Sequence, residues 1–119
     1  MKRDKITISE NTVIITGGNI WMTEAELIGM FDATAGAVNS VIKAIIKSDA
    51  LHNYEVCKCI RLDSGNSADV YNMEVVVALA FRLNTYPASV FRKWLVRTVT
   101  APRRTTPPIV IRYKDGLLN

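Results

Sequence analysis

Residues 23–51, TEAELIGMFDATAGAVNSVIKAIIKSDAL, decide how this chain is read, because two apolar-periodic stretches flank a three-residue interruption. Thr23 and Glu26 stand three apart ahead of an apolar run. That spacing is the capping box, in which hydroxyl and carboxylate satisfy backbone N–H groups left open where a helix begins. Leu27, Ile28, Met30 and Phe31 follow as a core face. Asp32-Ala33-Thr34 then breaks the pattern and supplies Thr34 as a second N-cap, and Val38, Val41, Ile42, Ile45 and Ile46 repeat at helical spacing. A helix, a turn of three to four residues and another helix is the helix-turn-helix outline. The same outline serves in helical hairpins that bind nothing, so spacing alone leaves both readings open.

On the N-terminal side, residues 5–20 alternate Ile6 and Ile8 with polar residues, turn at Glu10-Asn11, resume at Val13-Ile14-Ile15 and break at Gly17-Gly18. This predicts a short N-terminal β-hairpin, with Asn19-Ile20-Trp21 as a lead-in strand and Trp21 as a core or hinge residue. On the other side, residues 54–62 alternate around Val56 and Ile60. The segment from Asp63 to Ser67 carries turn chemistry, and residues 68–71 return as a partner strand. A two-stranded hairpin directly after a helix-turn-helix stands where a wing would. Its tip offers Ser64, Asn66, Ser67 and main-chain N–H groups, and no Lys or Arg.

Asn72 caps a helix from Met73 to about Leu83 that is apolar nearly all round, which places it at the centre of the core. Asn84 stops it. Thr85 to Pro87 open a last helix to about Thr100, with Val90, Phe91, Trp94, Leu95 and Val99 on one face and Arg92, Lys93 and Arg97 on the other. That basic stripe reads either as a solvated face or as a phosphate-contacting surface. The prolines at 102, 107 and 108 cannot continue the helix. Residues 101–119 therefore read as a basic tail carrying Arg103 and Arg104, with IVIRY at 109–113 as an added strand or partner-binding segment.

The expected architecture is α+β: a winged-helix-like helix-turn-helix over residues 1–100, with short N-terminal and wing β-hairpins and two further C-terminal helices, then the tail 101–119. At 119 residues, 49% of them hydrophobic, the chain suffices for one domain with a real core. No run approaches the ~20 apolar residues of a membrane span, and the start MKRDK leads into polar, β-branched sequence. A cytoplasmic location with no membrane partner is the expectation. The formal charge of +4 is uneven: residues 1–72 hold seven Lys/Arg against nine Asp/Glu, and residues 73–119 hold eight against two.

Cys57 and Cys59, spaced i, i+2 in an expected strand, share a face and are poorly placed for a disulfide with each other. A metal site with His52 competes with the plainer reading of two packed thiols, and a closed zinc site needs four good ligands. No cofactor-binding motif, glycine-rich phosphate loop or acid–base pair stands out. Glu24 and Glu26 fall about 200° apart on their helix. The expectation is a binding module without a small-molecule substrate or cofactor, and not an enzyme.

Two blocks carry a resemblance to a known family. The first is Trp21-Met22-Thr23-Glu24-Ala25-Glu26-Leu27-Ile28 on to Phe31; the second runs from Tyr71-Asn72-Met73-Glu74 through Phe81-Arg82-Leu83-Asn84 to Phe91-Arg92-Lys93-Trp94. Together they resemble the N-terminal domain of the virulence protein RhuM family of bacterial DNA-binding proteins over residues 21–99, and Cys57 falls where that family often has cysteine. The resemblance implies a regulator from a phage, conjugative or virulence-associated element. The chain departs from the family where glycine and then serine- and arginine-rich residues open the second helix: it has Asp32-Ala33-Thr34-Ala35-Gly36-Ala37, and Ser40 stands at an expected arginine.

Arginine to guanine is the commonest strong base contact, and the second helix has no arginine. The candidates left for base edges are Thr34, Asn39 and Ser40, with Lys43 and Lys47 on phosphates. Arg92, Lys93, Arg97, Arg103 and Arg104 would hold the backbone of double-stranded DNA. A two-fold site would call for a homodimer. The competing reading is a protein-interaction or oligomerisation module whose helix-turn-helix no longer reads bases.

Overall fold

A computed structural model describes residues 2–48 and 53–101. The elements run β1 (Ile6–Ser9), β2 (Thr12–Ile15), β3 (Trp21–Thr23), α1 (Glu24–Phe31), α2 (Ala35–Lys47), a one-turn α3 (Asn53–Val56), β4 (Cys57–Arg61), β5 (Ser67–Asn72), α4 (Met73–Arg82) and α5 (Tyr86–Thr100). The result is a small α+β domain with two antiparallel sheets. β1 and β2 form one, with Ile6 opposite Ile15; the other has strand order β3-β5-β4. Leu51, His52, Arg103, Arg104 and the expected strand at 109–113 lie outside the described residues.

The expected caps form. Thr23 accepts from the Glu26 N–H while the Glu26 carboxylate accepts from the Thr23 N–H, and Arg3 closes the group with Nη1 2.7 Å from Glu26 Oε1. Asp32 ends α1 in the left-handed conformation at φ 52°, and Ala33 N–H returns to the Ile28 carbonyl at 3.1 Å. That reversal leaves room only for Ala33 before Thr34 caps α2, so the interruption is a tight corner between two packed helices.

Glu26 also gives a pH prediction. Burial alone would push its pKa up, but the Arg3 guanidinium and the Thr23 hydrogen bonds outweigh this and hold it below the ordinary 4.5. A carboxyl depressed on folding stabilises the native state above its unfolded pKa, and the benefit is lost as pH falls through the folded value. Glu26→Gln should therefore flatten the acid limb of the stability curve below about pH 4.5, measured by urea unfolding across pH. An unchanged acid limb would show that the cap carries no linked proton.

The core gathers the apolar faces of all the longer helices. Leu27 and Phe31 of α1, Val38 and Ile42 of α2, Val75, Val76, Leu79 and Ala80 of α4, and Ala88 and Phe91 of α5 are buried together. The structure corrects four expectations. β4 begins at Cys57, because residues 53–56 make a helical turn that sends Val56 into the core. Trp21 is half-buried on β3, with the Lys58 ammonium 4.0 Å over its ring, and is not a core residue. α4 is central but not covered all round, since Phe81 is 54% exposed. Val99 does not join the core face of α5: every residue from Val96 to Ala101 is exposed, because the helix outruns the body it packs on.

Candidate nucleic-acid interface

α2 buries Val38, Ile42 and Ile45 and leaves Gly36, Ser40, Lys43 and Lys47 exposed. These four follow at intervals of four, three and four residues, which sets them in one stripe along the helix. α2 contains no acidic residue. The stripe thus offers small side chains in the first half of the helix and two ammonium groups one turn apart in the second. Long, flexible lysines hold their charge in water and can meet a phosphate without desolvation at rest.

The remaining α2 candidates are partly engaged within the fold. Thr34 is exposed, but its hydroxyl oxygen accepts from the Ala37 N–H at 3.1 Å as the N-cap. Asn39 is half-buried and its Nδ2 donates to Glu24 Oε1 of α1 at 3.5 Å.

The C-terminal cations do not form one set. Lys93 and Arg97 are exposed on α5. Arg92 is half-buried, and its Nη1 donates to the carbonyls of Ala80 at 2.6 Å and Leu83 at 3.1 Å. Its guanidinium finishes the C-terminus of α4, where carbonyls lack helical partners, so Arg92 is engaged within the fold. Arg92→Ala should cost about 1–3 kcal/mol of stability, because charged hydrogen bonds to buried carbonyls are lost, and should leave any DNA affinity within about twofold. Urea unfolding and a binding titration separate the two; a large affinity loss at unchanged stability would return Arg92 to the interface. α5 packs on α4, α1, β1 and β2, whereas α2 packs chiefly on α1 and α4, so the two basic strips belong to different parts of the surface.

Two cations escaped the sequence reading. Lys58 and Arg61 are exposed on β4, the first strand of the wing-like hairpin, behind a tip that Leu62 and Asn66 close by a 2.7 Å hydrogen bond. The strand parity that places Val56 and Ile60 also contains Lys58, and Arg61 falls on the opposite parity.

No protein-family model, curated protein or solved structure matches the chain. Function therefore rests on geometry.

The two thiols sit beside Tyr71 and Asp69, their cross-strand partners. Burial, Asp69 and Cys59 push the Cys57 thiol up against an opposing hydrogen bond from Tyr71, whose own pKa rises to about 12 through burial, the Cys57 thiol and the carboxylates of Asp69 and Glu24. Cys57 is thus a poor nucleophile at neutral pH. Among the described residues no group of three or more His, Cys, Asp or Glu could hold a metal ion; His52 lies outside them. An open cleft of about 700 Å³ lies over α1 between β1 and the β4–β5 hairpin. Three of its charged groups are engaged: Arg3 pairs with Glu26, and Asp4 accepts from Thr16 and Asn19.

Proposed function

We propose that the chain is a double-stranded DNA-binding domain of winged-helix-like build, with α2 in the major groove and the β4–β5 hairpin as the wing. The exposed Gly36, Ser40, Lys43 and Lys47 stripe on the second helix of the pair carries this reading. Connectivity supports it: a strand, two helices and a returning hairpin whose last strand pairs with the first, in the order β3-β5-β4. Small residues let a helix approach a groove closely, and the lysines then meet the phosphates on its wall. Lys58 and Arg61 add exposed cations on opposite faces of the first wing strand, so one of the two can share the side that α2 presents. The resemblance to the RhuM family extends the reading to a regulator on a bacterial mobile or virulence-associated element, acting in the cytoplasm without catalysis.

Fluorescence anisotropy of the full chain against mixed-sequence duplex tests this. With three contacts, Lys43, Lys47 and one cation of the wing strand, log affinity should fall by about 2.7 per decade of salt. A slope near zero, or no binding at low salt, would reject it.

A second reading has one observation in its favour. Val96 and Val99, 54% and 75% exposed, form an apolar edge on the part of α5 that outruns the body. A homodimer or protein partner could bury it. Val99→Asp should then abolish self-association in sedimentation velocity, and an unchanged monomer would remove this reading.

A further inference from the structure

We infer that α2 engages duplex DNA through the phosphate backbone, with little discrimination among base sequences. The inference rests on the DNA-binding reading and concerns what α2 can do once it lies against a groove.

Direct readout needs side chains that present paired donors and acceptors to base edges: arginine to guanine, or the whole amide of asparagine or glutamine to adenine. α2 has no arginine and no glutamine. Its single asparagine, Asn39, is half-buried with its amide nitrogen directed at Glu24, so one of its two N–H donors is already in use and the amide is held toward α1. The Glu24 carboxylate on that flank also disfavours the close approach of phosphates. Thr34 spends one lone pair as the cap of its own helix and keeps a single hydroxyl for one unpaired contact, not a bidentate one. Ser40, exposed in the middle of the stripe, can make a single bond that any groove acceptor satisfies. Against this stand Lys43 and Lys47, exposed and able to pair with any sequence of phosphates. The groove-facing set thus divides into two strong sequence-blind groups and no bidentate reader.

The test is selection of a random-sequence duplex pool on the full chain, with affinities measured for the selected and starting pools. The expected result is no enriched motif and affinities within about tenfold, far short of the 10³- to 10⁷-fold gap of sequence-specific binders. Ser40→Arg should create discrimination by placing a guanidinium mid-stripe, with guanine-containing sites preferred by roughly 5- to 150-fold. A wild-type motif bound more than a hundredfold above the pool, and lost in Asn39→Ala, would overturn the inference while leaving the DNA-binding reading in place. Failure of Ser40→Arg to enrich any motif would overturn it too, by showing that the stripe does not face base edges. Retention of no duplex by the wild type would overturn both.

Discussion

Phe91→Ala should cost about 3–5 kcal/mol and lower the thermal midpoint by roughly 10–20 °C. Phe91 is fully buried, meets the Phe31 ring edge-on at 6.0 Å and lies 5.4 Å from Trp94. It therefore ties α5 to α1 at the point where every helical layer converges. Alanine removes the ring and its edge contact together, and the backbone of two packed helices cannot collapse to fill the space. A domain of this size is stable by only about 5–15 kcal/mol, so the loss is a large share of the total. Far-UV circular dichroism melts would show it. A shift of two or three degrees would mean that α5 is an appendage on a core formed without it.

The Lys43→Ala/Lys47→Ala pair should reduce duplex affinity on the order of sixtyfold near 0.1 M salt and lower the salt slope by about 1.8. Each lysine that neutralises a phosphate releases condensed counterions, and the two effects share that origin. Both side chains are exposed, so their removal leaves the core intact and stability should stay within about 0.5 kcal/mol. Affinity and slope must fall together: a loss of affinity at unchanged slope would point to altered helix packing. Unchanged affinity in the pair would remove α2 from the interface altogether.

Local chemistry made most of the fold legible from the sequence. Thr23 with Glu26, Thr34, Asn72 and Thr85 announce four helix starts by their capping chemistry, and each caps where the spacing placed it. The alternation of Ile6 and Ile8 against Val13 and Ile15 marks a hairpin whose inner face packs on the core. What escaped detection depends on distance along the chain. Arg92 looked like part of a free basic stripe because its partners, the carbonyls of Ala80 and Leu83, become visible only once α4 and α5 fold together. Trp21 reads as core or hinge in the sequence, but its ring is shared between the sheet and a lysine two strands away. Val99 satisfied the period of α5, and nothing in that period says where the supporting body stops.

The candidate interface was legible in part. The helix-turn-helix spacing brought Ser40, Lys43 and Lys47 into one exposed stripe, because all three depend only on the phase of a single helix. The internal engagement of Asn39 depends on Glu24, fifteen residues earlier on another helix, and periodicity carries no information about that contact.

Amide chemical-shift mapping of the isotope-labelled chain on titration with a short duplex locates the interface residue by residue. The largest shifts should fall on residues 34–47 and on the β4–β5 hairpin at residues 58–67, with α5 little changed. Shifts confined to α5 or to the cleft beside β1, or none at all at low salt, would contradict α2 as the DNA-binding helix.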